Sequence, residues 1–162
     1  KRGPHRVASI ELKYGKGAMS GNSGVCKHLN DFNSFLTKGY YSDFKEELTN
    51  IINSYKMLGF EIPVSGTKYC ECPDFYFVTL NNNKDEAKKE MGKYMFSKAS
   101  KYHTEFGAPA KISAKEPKWD TMVKDPHLSI TCLFSEDTLE TLAQKSKLDI
   151  IENPAYERIK LN

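Results

Sequence analysis

The fold is organised around Asp74-Phe-Tyr-Phe-Val-Thr-Leu80, the clearest strand in the sequence. Aromatic and β-branched side chains dominate this stretch, and such side chains pack well on the pleated surface of a sheet. Four further stretches have the composition or the alternating pattern of strands. They are residues 7–14, 127–134, 148–152 and 156–161.

Helices are predicted where apolar residues recur every three or four positions. The first such helix carries Val25, Leu29, Phe32 and Leu36, and it is expected to end at Gly39. Since glycine readily adopts the backbone conformation that closes a helix, the stop has a physical basis.

A second helix is expected to begin at Ser42 or Asp43, because Glu46 completes a capping box with Asp43. Its apolar residues are expected to form one buried stripe. They are Phe44, Leu48, Ile51, Ile52, Tyr55 and Leu58. A third helix is predicted over 85–102, and a short fourth helix over 135–145.

Helices are concentrated early in the chain and strands late, an order that favours the α+β class over a doubly wound parallel sheet. We therefore expect mainly N-terminal helices, packed on a mostly antiparallel sheet built largely from the C-terminal half. The length predicts a single domain over residues 1–162, with residues 1–6 as a flexible leading tail. Because the first residue is Lys rather than Met, we expect the domain to be excised from a longer chain.

Charge and hydropathy exclude several classes of protein. The chain carries 24 Lys and Arg against 21 Asp and Glu, a net charge of +3. This excess is well below that of a dedicated nucleic-acid-binding domain. The sequence contains no apolar run of the roughly 18 residues that a membrane span needs. We expect a soluble monomer without a membrane span.

The four cysteines do not have the spacing of a small disulfide scaffold, so we expect reduced thiols and a reducing compartment. Cys70 and Cys72 lie two residues apart, without the four ligands of a structural zinc site. Cys132 lies in an apolar run and is expected in the core. We therefore expect neither a metal nor a cofactor.

Cys26 has the sequence setting of a nucleophile. It ends the glycine-rich stretch Ser20-Gly-Asn-Ser-Gly-Val-Cys26 and falls in the first turn of the first predicted helix. A helix N-terminus supplies partial positive charge and N–H donors, and both stabilise a thiolate. The backbone N–H of Cys26 and the side-chain amide of Asn22 are candidates for an oxyanion hole.

A thiol nucleophile also needs a base and a group that orients the base. His127 begins a predicted strand later in the chain, and Asn153 lies on a turn after the next predicted strand. The chain order Cys, His, Asn is that of papain-like enzymes. The sequence thus predicts a cysteine hydrolase or acyltransferase that acts on a protein or peptide substrate, with Cys26, His127 and Asn153 in its catalytic arrangement.

Two short segments carry a family resemblance. Ser23-Gly-Val-Cys-Lys-His-Leu29 resembles the Gly-x-Cys-x-x-Leu helix of papain-like and YopT-like effector cysteine proteases. Residues 148–156 are similar to the Asx-Pro turn that joins two strands in these proteases. The resemblance implies a papain-like fold and protease activity, with Cys26 as nucleophile, His127 as base and Asn153 as its orienter.

A second interpretation of His127 stays open. In a strand, His127, Ser129 and Thr131 share one face, and this His-hydrophobic-Ser/Thr run resembles one half of a two-histidine (2H) phosphoesterase. That resemblance implies a ribonuclease, or a phosphodiesterase that acts on RNA or on a cyclic phosphate. His5 or His103 would then supply the second histidine.

A third interpretation is a non-enzymatic interaction domain, in which Cys26 and His127 are core residues. The remaining histidine, His28, lies about 200° around the helix axis from Cys26 and is expected at the surface.

Overall fold

The computed structural model of the protein describes residues 4–64, 68–95, 129–143 and 157–161. Its strands are β1 (Ala8–Tyr14), β2 (Asp74–Leu80), β3 (Ser129–Phe134) and β4 (Glu157–Leu161). Its helices are α1 (Val25–Thr37), α2 (Tyr40–Met57), α3 (Lys84–Met95) and α4 (Leu139–Ala143). Two short 3-10 turns, Lys16–Met19 and Gly21–Ser23, join β1 to α1.

The described strands form one sheet in the order β1-β2-β3-β4. β1 pairs in parallel with β2, and β2 in parallel with β3, whereas β4 runs antiparallel beside β3. The prediction of a mostly antiparallel, papain-like sheet built largely from the C-terminal half is therefore wrong. Parallel pairing dominates, and β1 and β2 both come from the N-terminal half.

The physical reason for this error lies in the connections. Helices α1 and α2 lie between β1 and β2 in the chain, and α3 lies between β2 and β3. A long helical crossover of this kind is what parallel pairing requires, whereas antiparallel neighbours are usually joined by short turns. Strand composition predicts where a strand lies but carries no information on its direction. The mixture of helices and strands itself is as predicted.

One face of the sheet carries the main core. Phe75 and Phe77 of β2 are at most 1% exposed, and Phe32 of α1 stacks on Phe75 with ring centroids 4.2 Å apart. The core cluster consists of Met19, Val25, Leu29, Phe32, Phe75, Phe77, Ala87, Met91, Met95, Ile130, Cys132 and Phe134. Both α1 and α3 therefore pack on the same face of the sheet, and the predicted burial of Cys132 is confirmed.

Strand β1 presents its polar side chains to this helical layer. Its register places Glu11 beside Phe77 and Lys13 beside Thr79, so both charged residues share the face that α1 covers. The apolar residues of β1 point to the opposite face and are 42–46% exposed. They are Ile10, Leu12 and Tyr14.

Helix α2 departs from its predicted packing. It begins at Tyr40 after Gly39, which has φ +77°, and no side chain caps it, so the predicted capping box is absent. Tyr41 is its buried residue, whereas much of the predicted stripe is exposed. The exposed members are Phe44, Ile51, Tyr55 and Leu58. The prediction of a buried stripe is wrong because α2 contributes nothing to the core that α1 and α3 form on the sheet.

No helix within the described ranges is both long and apolar enough to cross a membrane.

Candidate functional site

The parallel strands β1, β2 and β3 end at one edge of the sheet, which we call the carboxyl edge. The loops that follow these strands are residues 15–24, 81–83 and 135–138. In proteins with parallel sheets, crevices outside the carboxyl ends of the strands are the usual ligand sites. The carboxyl edge is therefore the candidate ligand site of this sheet.

Main-chain hydrogen bonds join the three loops. The N–H of Gly15 donates to the carbonyl of Leu80 at 2.9 Å, and the N–H of Asn81 donates to the carbonyl of Asp137 at 2.8 Å. The first bond holds the loop after β1 against the end of β2, and the second holds the loop after β2 against the loop after β3. The carboxyl edge is thus a continuous surface rather than three separate loops.

A cleft of about 290 Å³ opens at this edge, lined by Asn81, Asn82, Asn83 and Glu136. Asn81 has φ 51°, in the left-handed region that most residues avoid. The side-chain oxygen of Asn83 accepts hydrogen bonds from the N–H groups of Asp85 and Glu86, so it caps α3. The amide groups that line the cleft suit hydrogen bonding to a polar ligand.

The loop between β1 and α1 is closely built. Gly15 and Gly21 have φ angles of 72° and 75°, which favour glycine. A Cβ atom on Gly24 would lie 2.7 Å from the carbonyl carbon of Ser20, so this position has no room for a side chain. Met19 is 1% exposed and anchors the loop in the core.

A buried lysine of β1 is hydrogen-bonded to this loop. Lys13 is 1% exposed, and its ammonium group donates to Oε1 of Glu11 at 2.8 Å and to the carbonyl of Ser23. Burying an ammonium group without partners would be costly, so these two acceptors explain how the lysine is tolerated. Because Ser23 directly precedes Gly24, the N-cap of α1, Lys13 fixes the start of the helix against the end of β1.

His28 of α1 completes this group, which we call the Lys13 cluster: Glu11, Lys13 and His28. Nε2 of His28 lies 3.0 Å from the same Glu11 oxygen, and Nδ1 lies 3.9 Å from Asp31. Among the described side chains, His28 Nε2 is a buried atom whose approach to Glu11 lacks the geometry of a hydrogen bond. His28 was predicted at the surface, and it is partly exposed there, with 24% of its side chain accessible.

Cys26 lies in the first turn of α1 and is half-buried. The helix begins without a side-chain cap, and its first turn contains no acidic residue. Asn22, the other predicted oxyanion donor, lies in the 3-10 turn Gly21–Ser23 and is exposed. Both predicted residues therefore belong to the carboxyl edge, one on the helix and one on the loop that leads into it.

The predicted partners of Cys26 are not among the described residues. His127, Asn153 and His103 all lie outside them, so the Cys26, His127 and Asn153 arrangement stays a prediction. The described strand nearest to His127 in sequence, β3, begins at Ser129 beside Asp74. That is the amino edge of the sheet, opposite the carboxyl edge.

The described residues of the phosphodiesterase interpretation lie away from the carboxyl edge, and Ser129 begins β3 at the amino edge. Thr131 is 9% exposed and pairs with Tyr76 on the face away from the main core. His5 forms an isolated parallel bridge with Tyr69, next to the start of β2 rather than at the carboxyl edge.

The remaining cysteines have distinct settings. None of the four cysteines is in a disulfide, and Cys70 and Cys72 are half-buried. Cys132 is fully buried, and burial raises the pKa of its thiol far above the usual range. A thiol that stays protonated in an apolar core is a poor nucleophile, so Cys132 serves packing.

Sequence reasoning missed the Lys13 cluster. The available signal was Glu11 and Lys13 at alternate positions of one strand, immediately before a glycine-rich loop. Two charges on one strand face normally indicate solvent, so the pattern alone favoured the wrong face. Among the described residues, no three His, Cys, Asp or Glu side chains converge as metal ligands.

Comparison of the chain with protein-family models, curated proteins and solved structures finds no match.

Proposed function

We propose that the protein is a thiol hydrolase or acyltransferase acting on a protein or peptide substrate, with Cys26 as its nucleophile. The observation that supports this proposal is the half-buried Cys26 in the uncapped first turn of α1. N–H groups at a helix start have no acceptor within the helix, and they favour negative charge nearby. No carboxylate in that turn opposes this effect.

The chemistry follows the general scheme of acyl transfer. The Cys26 thiolate attacks the substrate carbonyl carbon, a C–S bond forms, and the carbonyl oxygen becomes an oxyanion. N–H groups of the first helical turn and the amide of Asn22 are the proposed donors to that oxyanion. The leaving amine departs with a proton from the base, and water or an acceptor amine then releases the acyl group from sulfur.

Lys13 is a positioning residue in this proposal. It contacts the Ser23 carbonyl at the start of α1 rather than the reacting atoms, so it fixes the first helical turn relative to the sheet. The cleft lined by Asn81, Asn82, Asn83 and Glu136 lies at the same edge and offers amide groups to the polar main chain of a peptide. His127 as base and Asn153 as its orienter enter the proposal only as predictions from the sequence. The strand that follows His127 begins at the amino edge of the sheet, whereas Cys26 lies at the carboxyl edge, so the His127→Ala test below decides whether His127 is the base.

The first test compares the four native thiols within one protein. Native protein is treated with iodoacetamide at neutral pH, and each cysteine is followed by peptide mass spectrometry. We expect Cys26 to be modified several-fold faster than Cys70 and Cys72, which are also half-buried but lie outside helices. Cys132 should react only after unfolding, since it is fully buried. Equal or slower reaction of Cys26 would count against an activated thiol.

The second test examines acyl transfer directly. Incubation with activated acyl-peptide esters should leave an acyl group on Cys26, detected as a mass increase on its tryptic peptide. Cys26→Ala should abolish both adduct and turnover, whereas the matched Cys70→Ala variant should retain both. Turnover that persists in Cys26→Ala would overturn the proposal.

A third test compares turnover in Cys26→Ala and His127→Ala, so that the role of the nucleophile is tested apart from that of the base. Loss of turnover in His127→Ala supports the full arrangement, whereas loss in Cys26→Ala alone keeps the nucleophile and rejects His127. RNA cleavage that is lost in His127→Ala and retained in Cys26→Ala would replace thiol chemistry with the phosphodiesterase interpretation.

A further inference from the structure

Strand β1 has an open side in the described sheet. The sheet order places β1 at one end, with β2 as its neighbour. The carbonyl of Val7 accepts from Asp74, and the N–H of Gly15 donates to Leu80, so the odd-numbered residues direct their main-chain groups towards β2. Successive residues of a strand alternate in this direction. The even-numbered residues Ile10, Leu12 and Tyr14 therefore direct their N–H and C=O groups towards the open side.

The side chains of these same residues form an apolar row. They are 42%, 46% and 42% exposed, in chain order. In the register with β2 they lie beside Tyr76, Val78 and Leu80, and Val78 and Leu80 are fully buried. The apolar row thus continues a buried cluster outwards to the end of the sheet.

In place of the monomer expected from the sequence, we propose that two copies of this chain associate through β1, whose strands pair antiparallel about a two-fold axis at Leu12. In this register, Leu12 of one copy opposes Leu12 of the other, and Ile10 opposes Tyr14. Each opposed pair uses outward main-chain groups, so each exchanges two N–H···O bonds, as hydrogen-bonded pairs of an antiparallel ladder do. The two sheets become one continuous sheet, and the apolar row of each copy meets that of the other.

Charge disfavours the neighbouring register centred on Glu11. With the axis at Leu12, Glu11 of each copy lies opposite Lys13 of the other on the second face of the strands. Moving the axis to Glu11 would place two carboxylates directly opposite each other, which is destabilising. In other sheets an inward-pointing charge on an edge strand can block pairing with another chain. Lys13 does not act in this way, because its ammonium group contacts the Ser23 carbonyl of its own loop and does not extend over the open side of β1.

The test is the mass of the whole chain in solution. Sedimentation velocity over micromolar to submillimolar protein should show a species of twice the 18.4 kDa chain mass. Leu12→Lys should shift the distribution to the monomer, because a lysine on an edge strand opposes pairing. Met57→Lys is the matched control, since Met57 is 89% exposed on α2 and its substitution should leave the dimer intact. Circular dichroism and thermal unfolding establish that both variants are folded.

Disulfide trapping tests the pairing of Leu12 with Leu12 of the second copy, and it does so even if the Leu12→Lys variant folds poorly. Opposed residues of a hydrogen-bonded pair have Cα atoms about 5.5 Å apart, within the range of roughly 4.4–6.8 Å that a disulfide spans. Oxidised Leu12→Cys should therefore form a dimer linked through position 12 of both chains, whereas Met57→Cys should not link through position 57. A monomer at every concentration, a dimer that survives Leu12→Lys, or no link through position 12 would each overturn the proposal. A surviving dimer would assign the contact to another surface, such as the apolar face of α2.

Discussion

Strands β1 and β2 are parallel neighbours of equal length, with seven residues each, but they meet the helical layer differently. β2 buries aromatic rings under the helices and aliphatic side chains on the opposite face. β1 instead places Glu11 and Lys13 under the helices and leaves Leu12 outward. The central strand β2 has both faces covered by other side chains. The outermost strand β1 instead lies next to the loop that leads into α1, and Lys13 finds a hydrogen-bond acceptor in that loop.

The difference also shows what holds each strand in place. Phe77 is held by contact area and shape, since it packs with Phe32 and other core side chains. Lys13 is held by two specific acceptors, Glu11 and the Ser23 carbonyl. Apolar packing tolerates small shifts, but a buried ion pair requires one arrangement. We infer that the bond from Lys13 to the Ser23 carbonyl fixes the start of α1, while the aromatic core supplies most of the stability.

The largest expected effect is a loss of stability, and it compares a buried residue of β2 with an exposed residue of β1. Phe77→Ala removes a fully buried ring and should lower the free energy of unfolding by about 3–5 kcal/mol. Leu12→Ala removes a side chain that is 46% exposed, so about 1 kcal/mol or less is expected from the burial it loses. Urea unfolding followed by circular dichroism measures both, at a concentration where each variant is monomeric. Equal costs would show that the outer face of β1 is as well covered as the core.

The second prediction concerns the buried lysine. Lys13→Met keeps most of the aliphatic stem but leaves Glu11 and the Ser23 carbonyl without their donor. Removing one partner of a buried pair costs about 3–5 kcal/mol, and we expect about 2–3 kcal/mol here because 27% of the Glu11 side chain is exposed. Lys16→Met is the matched control, since 66% of the Lys16 side chain is exposed. Its cost should stay below about 0.5 kcal/mol, and a comparable loss in both variants would contradict a special role for Lys13.

The contrast between β1 and β2 explains how much of the fold was predictable. The strand at 74–80 and the helix from Val25 follow from composition and spacing alone, because their local pattern and their tertiary burial agree. For β1 the alternation was visible, but which face is buried depends on its place at the end of the sheet. That place is set by chain connections, not by residues 8–14 themselves.

The candidate site was predictable to the same limited degree. The positions of Cys26 at a helix start and of Asn22 in the loop before it were predictable, because a glycine-rich loop before a helix is a local signal with a local cause. The Lys13 cluster joins a strand to a helix across the loop, and no local pattern reports such a contact. The buried stripe predicted for α2 failed for a related reason: amphipathic spacing indicates an apolar face but not the surface that will cover it.

The third prediction tests the loop that follows β1. Gly24→Ala would place a Cβ atom 2.7 Å from the backbone of Ser20, so the loop must shift, at a cost of about 1–3 kcal/mol. The shift should also change the iodoacetamide reaction rate of Cys26, two residues later. Gly17→Ala is the control because a Cβ there meets no atom within 4 Å. It should be neutral or slightly stabilising, and a Gly24→Ala variant that behaves identically would show that the loop is loosely packed.

The smallest expected effect compares an exposed ion pair with the buried one on the same two strands. Arg6, just before β1, donates from Nε and Nη2 to the two carboxylate oxygens of Asp74 at 2.8 and 2.6 Å, and this hydrogen-bonded carboxylate raises the pKa of Arg6. Most of the Arg6 side chain is exposed, so Asp74→Asn should cost only about 0.5–1 kcal/mol.

Added salt screens exposed charges far more than buried ones. The cost of Asp74→Asn should therefore shrink between low and high sodium chloride, while the cost of Lys13→Met should change little. Unfolding free energies of the two variants in both salts make the comparison, and a salt-sensitive Lys13→Met would mean that water reaches the Lys13 cluster.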